Sequence, residues 1–212
     1  MKTNQIITIG RQFGSGGKII GETLAKELEI PFYDKKILSI AAKESGMCEE
    51  LFEDFDEKPT NSFLYSLVMD PYSLGYGNTN SFNGLDMPIN QKIFLAAFDA
   101  IKKIANEGPC VIVGRCADYA LDMYENCINL FIHAPIDIRI KRIIETESIN
   151  EQKAKELIQK KDKQRASYYN YYTTKKWGDI KSYDLCIDSS ILGVDGTVAL
   201  IKQFISMKEN LK

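Results

Sequence analysis

The sequence predicts an α/β protein in which helices cover both faces of a parallel β-sheet. Short β-branched runs alternate along the chain with segments whose apolar residues recur at helical spacing. The run Cys110–Val113 is apolar at every position, which is typical of a parallel strand that is buried on both faces. Because the strands alternate with helical crossovers, parallel pairing is favoured over antiparallel pairing.

The first strand, the turn that follows it and the first helix form the most informative stretch. Ile6–Ile9 is rich in β-branched residues and predicts a buried strand. The glycines of Gly14–Gly17 allow a tight turn whose backbone N–H groups converge on an anion. A helix is predicted from Lys18, with apolar residues at every fourth position: Ile20, Leu24 and Leu28. Since a helix N-terminus favours negative charge, the stretch predicts a phosphate site.

This turn departs from the standard phosphate-binding loop, which is a glycine, four residues and then Gly-Lys-Ser/Thr. If Gly16 is the second glycine, Arg11 takes the place of the first, Gly17 that of the lysine and Lys18 that of the hydroxyl residue. A dinucleotide-binding pattern fails as well, because its third glycine would be Ile19. A glycine-rich turn without a ligand therefore stays open as an alternative.

The elements before residue 110 follow from the same patterns. Ile30–Asp34 predicts a short strand that ends in a carboxylate, and Lys35–Ser45 predicts a helix that Gly46 ends. Gln91–Asn106 predicts a further helix with a continuous apolar stripe. Between these helices, Pro59–Asn90 is rich in Gly, Asn, Ser and Tyr, so it is either a spacer or a mobile substrate flap.

The second half continues the alternation of strands and helices. Leu130–His133 predicts a strand, and Pro135 suits the first turn of the helix after it. Glu151–Arg165 predicts a helix that leads into a basic, aromatic stretch. Asp184–Ile187 predicts the last strand, and an amphipathic helix is predicted over residues 194–205.

Polar side chains follow several of the predicted strands. The glycine turn, Asp34 and Arg115 all lie at carboxyl ends, where ligands bind in parallel α/β sheets, so we expect them to converge. Arg115 either pairs with a carboxylate or offers its guanidinium to an anionic ligand. Asp118 either orients Arg115 or caps a helix. Asp34 either caps a helix or holds a hydroxyl group or a hydrated magnesium ion.

The stretch Lys160–Trp177 concentrates cations and large aromatic side chains. This pattern has three interpretations. The stretch is either a solvated helix whose aromatic side chains cover the core, a surface on which RNA bases stack, or a lid that closes over phosphates. Net acidity argues against the RNA alternative. As a lid it would bring a cation to a transferring phosphoryl group, for which Arg165, Arg139 and Arg142 are the candidates.

Composition excludes several classes of function. The 212 residues fit one domain, and a net charge of −2 provides no basic field for nucleic acid. No apolar run approaches the ~20 residues that span a bilayer, and Met1–Asn4 leaves no room for a signal peptide. The five cysteines form no Cys-x-x-Cys pair, so a reducing cytoplasm is expected. His133 is the single histidine, which argues against zinc sites and histidine triads.

Five segments together resemble the cytidylate kinase-like family, a branch of the P-loop nucleoside monophosphate kinases. They are Ile9–Gly17, Phe32–Asp34, Val111–Tyr119, Ile132–Pro135 and Asp162–Tyr169. The resemblance implies a three-layer α/β P-loop kinase fold with a five-stranded parallel sheet flanked by helices. It implies a single domain over residues 1–212, with a mobile monophosphate-binding region at 50–90 and a lid at 158–180.

The resemblance also implies phosphoryl transfer from ATP to a nucleoside monophosphate, with Mg²⁺ bound mainly through the phosphates and with Asp34 as its candidate protein ligand. The catalytic residues would be Lys18, Arg115 and Arg165. The ATP-binding residues would be Arg11, Gly14, Ser15, Gly16, Gly17 and Lys18. The substrate-binding residues would be Asp34, Arg115, Asp118, Arg139, Asp162 and Arg165. Small nucleotides would be the partners, without nucleic acid or membrane, and the sequence predicts no oligomeric state.

Two departures keep alternatives open. The lysine of the glycine turn is displaced by one residue, and no recognisable cytosine-reading residue occurs in 50–90. Arg11 or Lys18 could supply the missing cation from a different direction, because phosphoryl transfer depends mainly on positioning and electrostatics. The alternatives are a catalytically impaired nucleotide-binding or sensor protein and a kinase of a non-nucleotide metabolite.

Overall fold

The structure, a computed structural model, describes residues 3–55 and 88–211. Within them, five parallel strands form one sheet in the order β2-β3-β1-β4-β5. The strands are β1 Ile6–Arg11, β2 Phe32–Tyr33, β3 Val111–Val113, β4 Cys127–His133 and β5 Leu185–Asp188. The predicted parallel α/β architecture is confirmed, and β1 lies at its centre.

Helices cover both faces of this sheet, which gives three layers. The helices of the described residues are α1 Gly17–Leu28, α2 Lys36–Ser45, α3 Glu49–Phe55, α4 Ile89–Glu107, α5 Ala117–Ala120, α6 Ile136–Glu147, α7 Glu151–Tyr172 and α8 Ser189–Asn210. On one face, α1 and α8 pack on Ile7 and Ile9 of β1, and the predicted stripe of α1 is buried there. On the other face, α2 and α4 bury Ile37 and Ile101 against Ile6 and Ile112.

Helix α7 is longer than its sequence pattern predicts, since it ends at Tyr172 and not at Arg165. The added turns are stabilised by aromatic packing on α4: the ring of Tyr172 stacks on Phe94 with centroids 4.2 Å apart. Tyr168 and Tyr169 are buried in the same cluster. Much of the basic, aromatic stretch is therefore the packed end of a helix, and it includes residues 158–172 of the predicted lid.

Helix α8 begins at Ser189, earlier than expected, and Gly193 interrupts it with non-helical backbone angles (φ 66°, ψ −167°). By length and composition it is the one helix of the described residues that could cross a membrane. Its residues Val198, Ile201 and Ile205 are buried against the sheet.

The carboxyl ends of the strands meet at one edge of the sheet, and α1 and α6 begin there after β1 and β4. This edge collects the glycine turn, Asp34 and Arg115, as expected for a parallel sheet. Most of the predicted monophosphate-binding region, residues 50–90, lies outside the described residues.

Candidate functional site

The glycine turn joins β1 to α1 in a conformation that requires glycine at two positions. Gly14 and Gly16 have φ values of 78° and 82°, and Gly16 is the N-cap of α1. A Cβ on Gly14 would lie 3.1 Å from both Cβ and the carbonyl oxygen of Arg139. Within the turn, the Ser15 hydroxyl donates to the carbonyl of Gln12 at 2.9 Å. The first N–H groups of α1 have no partner within the helix, so the turn is suited to an anion.

A carboxylate from α7 holds one side of this turn. Asp162 accepts a hydrogen bond from the Phe13 N–H at 2.7 Å and pairs with Arg139 of α6 at 2.6 Å. Arg139 also donates to the Phe13 carbonyl at 3.3 Å. The two side chains therefore contact both polar groups of one backbone residue, which fixes its orientation.

A second arginine holds the other side of the turn. Arg142, one helical turn after Arg139, donates to the Ser15 carbonyl at 3.0 Å and to the Ser189 carbonyl at 3.2 Å. The Ser189 hydroxyl, at the start of α8, donates to the same Ser15 carbonyl at 2.5 Å. Side chains from α6, α7 and α8 thus hold the turn in place.

Asp34 and Arg115 meet at the carboxyl ends of β2 and β3. Arg115 Nη1 lies 3.1 Å from Asp34 Oδ1, and Lys18 Nζ lies 3.6 Å from Asp34 Oδ2. The Arg115 side chain is 3% exposed, whereas that of Lys18 is 59% exposed. Arg115 and Cys116 both adopt left-handed backbone angles (φ 53° and 57°), which are unusual for residues other than glycine. Such strain is common at functional sites.

Asp118 lies deeper than this pair, and its carboxylate accepts a 2.5 Å hydrogen bond from the hydroxyl of Tyr169. Burial raises the pKa of Asp118, while the Tyr169 hydrogen bond and the charge of Lys175 act in the opposite direction. Burial, together with the charge of Asp118, also raises the pKa of Tyr169. Asp118 therefore joins α5 to α7 in the interior.

Arg165 lies on the glycine turn. Its Nη1 donates to the carbonyl of Arg11 at 3.3 Å, and its guanidinium carbon lies 5.5 Å from the centroid of the Phe13 ring. A cation at this distance over an aromatic face is attracted to it. The predicted lid arginine is thereby positioned beside the end of β1.

These elements enclose a cleft of about 730 Å³ beside the turn. This volume is within the range of small-molecule sites. Cations outnumber carboxylates in its lining: Arg11, Lys18, Lys35, Arg115, Arg142, Lys161 and Arg165 against Asp34, Glu145 and Glu147. The chain has five arginines, and Arg139, the one that does not line the cleft, contacts the turn. The excess of positive charge favours a phosphorylated ligand.

The predicted site residues separate into three groups. Those that line the cleft are Arg11, Gly14, Gly16, Gly17, Lys18, Asp34, Arg115 and Arg165. Ser15, Arg139 and Asp162 form the hydrogen bonds that hold the turn, and Asp118 is buried against Tyr169. Among the cations of the cleft, sequence reasoning assigned no role to Lys35 and Lys161. Lys35 directly follows Asp34, so its position at the end of β2 is the signal that could have identified it.

Protein ligands for a metal ion are few here. Among residues 3–55 and 88–211, no group of three or more His, Cys, Asp or Glu side chains could hold one. The Asp34 carboxylate lies in the cleft, where it is already paired with Arg115 and Lys18. These residues fit a magnesium ion that is held mainly by phosphate oxygens, as is common for Mg²⁺.

The sequence profile of the cytidylate kinase-like family matches residues 6–191. A cytidylate kinase of Methanopyrus kandleri is 24% identical over 94% of this chain and 92% of its own length. A cytidylate kinase of Pyrococcus horikoshii is 26% identical over 96% of this chain and 90% of its own length. The chain therefore aligns with nearly the whole length of both archaeal proteins.

Solved structures show the same fold. An uncharacterised protein of Eubacterium ventriosum superimposes with a TM-score of 0.70 at 31% identity, over 95% of this chain and 98% of its own. A shikimate kinase of Bacteroides thetaiotaomicron superimposes with a TM-score of 0.51 at 11% identity, over 95% of this chain and 98% of its own. The predicted P-loop kinase fold is confirmed.

Proposed function

This chain belongs to the cytidylate kinase-like family, and on that premise we propose that it transfers a phosphoryl group from ATP to a nucleoside monophosphate. The observation that carries the proposal is the glycine turn, which caps α1 and opens into a cleft with more cations than carboxylates. CMP is the first acceptor to test, because the archaeal relatives are named cytidylate kinases. We place the reaction in the cytoplasm, with small nucleotides as substrates.

ATP binds with its phosphates against the glycine turn. Contacts from Asp162, Arg142 and Ser189 hold the turn, so little ordering is left for ATP binding to supply. Asp34 is the candidate protein ligand for Mg²⁺ in this cleft, and the ion would supply positive charge that offsets the charge developing during transfer. Lys18, at the second position of α1, contributes a further positive charge at the same helix terminus.

The acceptor monophosphate binds at Arg115. Its guanidinium is almost fully buried and fixed by Asp34, so it can present two N–H groups to phosphate oxygens without losing much side-chain entropy. Arg165 lines the same cleft and donates to the Arg11 carbonyl, so we assign it to the transferring phosphoryl group. A protein nucleophile is unnecessary, because the acceptor phosphate attacks in line.

The decisive experiment measures ADP release from ATP and Mg²⁺ with each nucleoside monophosphate as acceptor. Arg115→Ala should lower kcat/KM by about 10²-fold or more, since loss of one charge-stabilising donor has that effect in other enzymes. Arg115→Lys keeps the charge and loses the two-pronged contact, so it should recover only part of the activity. Lys202→Ala is the control, because Lys202 pairs with Glu27 at the far end of α1. Wild-type turnover in Arg115→Ala, with circular dichroism showing a folded protein, would refute the assigned acceptor site.

A second candidate function is nucleotide binding without catalysis. It is favoured by one observation, the glycine at position 17 where a P-loop kinase has its lysine. Calorimetry distinguishes the two: ATP binding without ADP release for any nucleoside monophosphate supports a sensor or partner protein. Release of ADP with a sugar or an organic acid as acceptor, and with no nucleotide, would instead identify a kinase of a non-nucleotide metabolite.

A further inference from the structure

Arg11 and Gly17 contact each other across the glycine turn. A Cβ added to Gly17 would lie 2.6 Å from Cβ of Arg11 and 3.2 Å from its Cγ. The first of these distances is far below the separation of two carbon atoms in van der Waals contact, which is about 3.5–4.0 Å. The stem of the Arg11 side chain therefore occupies the space in which a side chain at position 17 would begin.

Neither position can move to relieve this overlap at low cost. Arg11 is the last residue of β1 and lies in register with Ile132 of the neighbouring strand β4. Gly17 is the first residue of α1 and is buried. The colliding atoms are Cβ atoms, whose positions follow from the backbone, so relief would have to shift a central strand or a core helix.

Space, and not backbone conformation, explains the glycine at position 17. Gly14 and Gly16 have left-handed φ angles, but Gly17 is not among the residues of positive φ. Its helical backbone angles do not require glycine, and after Arg11 the next nearest contact of the added Cβ is Cβ of Ile132 at 3.4 Å, an ordinary van der Waals contact. Arg11 and Gly17 are thus interdependent: at most one of the two positions carries a side chain beyond Cα.

The standard phosphate-binding loop has the opposite arrangement at these two positions. When Gly16 is aligned with its second glycine, its first glycine corresponds to Arg11 and its lysine to Gly17. The close contact between the two positions explains why both differ from the standard loop together. A small first residue leaves room for a lysine at the start of the helix, and a large first residue excludes it.

We infer that Arg11 and Gly17 are an exchanged pair, in which Arg11 supplies from β1 the cation that a P-loop lysine supplies from the first turn of the helix. This inference rests on the proposed function and names the triphosphate contact within it. Arg11 lines the cleft together with Gly14, Gly16 and Gly17, and it is partly exposed. Its target is the terminal phosphates of a nucleoside triphosphate, which its planar guanidinium binds through two N–H groups.

Lys18 is the other cation that could replace the missing lysine, and the geometry favours Arg11 over it. The Lys18 side chain is 59% exposed, and its ammonium nitrogen lies 3.6 Å from the Asp34 carboxylate. It occupies the place of the hydroxyl residue, one position further along α1. The Arg11 stem instead lies where a lysine side chain at position 17 would start, with its Cβ 2.6 Å from the position of the added Cβ.

The first experiment needs no ligand and tests whether the Arg11 side chain excludes a side chain at position 17. Melting temperatures are compared for the wild type, Gly17→Ala, Arg11→Gly and the double variant R11G/G17A. Gly17→Ala should lower the melting temperature by about 4 °C or more in the wild type, because over-packing of this kind is costly. The same substitution should have little effect in the Arg11→Gly background. If Gly17→Ala lowers the melting temperature equally in the wild type and in Arg11→Gly, the inference that Arg11 and Gly17 are an exchanged pair is wrong.

The second experiment removes the cation at position 11 and places a lysine at position 17, as in the standard phosphate-binding loop. Arg11→Gly should lower kcat/KM for ATP by about 10²-fold, and the double variant R11G/G17K should recover at least about 10-fold over Arg11→Gly. Lys202→Ala, remote from the cleft, is the control for activity. Recovery in R11G/G17K supports the exchange, since no other change restores a cation at that point. A double variant no more active than Arg11→Gly would overturn it.

The two proposals fail in different ways. If the wild type neither binds nor hydrolyses a nucleoside triphosphate, the proposed function is wrong, and so is the phosphate-binding role of Arg11. The melting temperatures would still show whether the Arg11 side chain excludes a side chain at position 17. If the wild type is active and Arg11→Gly is equally active, the inference alone is wrong. A larger loss from Lys18→Ala than from Arg11→Gly would assign the cation to Lys18 and likewise overturn the exchange.

Discussion

Replacing Asp162 with alanine tests whether α7 holds the glycine turn. The carboxylate accepts from the Phe13 N–H at 2.7 Å and pairs with Arg139 at 2.6 Å. The side chains of Asp162 and Arg139 are 18% and 9% exposed, so both charges lie mostly out of water. Alanine would remove both contacts and leave the Arg139 guanidinium without its carboxylate partner.

The expected loss in the free energy of unfolding is about 3 kcal/mol. A hydrogen bond to a charged group contributes about 1.5–3 kcal/mol, and removal of one partner of a buried ion pair costs about 3–5 kcal/mol. The 18% exposure of Asp162 places the expected loss at the lower end of the range for buried ion pairs, about 3 kcal/mol. Water can enter the space that the carboxylate leaves and can partly solvate the Arg139 guanidinium. For a chain of this length, such a loss lowers the melting temperature by about 6–12 °C.

Thermal unfolding of Asp162→Ala, Arg139→Met and the double variant measures this contact. The double variant should be more stable than the sum of the single losses implies, since the unpaired guanidinium is absent from it. Asp122→Ala is the matched control: Asp122 pairs with Lys175 at the same 2.6 Å, but its side chain is 56% exposed. Its loss should stay below about 1 kcal/mol.

Kinetics then separate a structural role of Asp162 from a role in substrate binding. If the carboxylate acts through the turn, Asp162→Ala should raise KM for ATP, because the Phe13 peptide that it orients belongs to the turn where we propose that the phosphates bind. A melting temperature within about 2 °C of the wild type, combined with a lower kcat, would refute the structural role. It would favour the direct substrate contact that the sequence resemblance implies.

Two further predictions concern conformational strain and buried charge. Gly14→Ala should cost about 2 kcal/mol or more in guanidinium unfolding, because φ is 78° and the new Cβ lies 3.1 Å from Arg139. Gly46→Ala, with φ 68° and nothing within 4 Å, should cost only about 1 kcal/mol, and equal losses would contradict the role assigned to packing. Burial raises the pKa of Asp118, so above the ordinary carboxyl pKa of about 4 the folded state retains a proton that the unfolded state releases. Wild-type stability should therefore fall relative to Asp118→Asn as pH rises above about 4. The amide oxygen introduced by that substitution would keep an acceptor for Tyr169, and a stability difference that is constant with pH would contradict the shift.

Local patterns were sufficient to predict the fold and the convergence of Asp34 and Arg115 at one edge of the sheet. The β-branched run before the turn is strand β1, and the four-residue spacing after it is the buried stripe of α1. Asp34 and Arg115 are far apart in sequence, yet their positions at the ends of strands predicted that they converge, and they form an ion pair. Such features follow from periodicity and from the geometry of parallel sheets.

Contacts between distant side chains were beyond the sequence patterns. The end of α7 depends on the stacking of Tyr172 on Phe94, which no local propensity encodes. The contact of Arg142 with the Ser15 carbonyl depends on how α6 packs beside the turn. The close approach of the Arg11 side chain to Gly17 can be recognised only from atomic positions on both sides of the turn. The sequence alone shows that both positions depart from the standard motif.

The structure links the turn to the predicted lid through a single helix. Asp162 and Arg165 lie within one turn of α7, and they contact Phe13 and the Arg11 carbonyl respectively. A rigid movement of residues 158–180 away from the cleft would break the hydrogen bond to the Phe13 N–H and remove one of the contacts that hold the turn. A lid movement that keeps this hydrogen bond has to pivot on the C-terminal side of Asp162. If the lid moves as a rigid body, we expect donor binding and lid closure to be coupled in the proposed reaction, because the helix that carries Arg165 also carries the carboxylate that contacts the glycine turn.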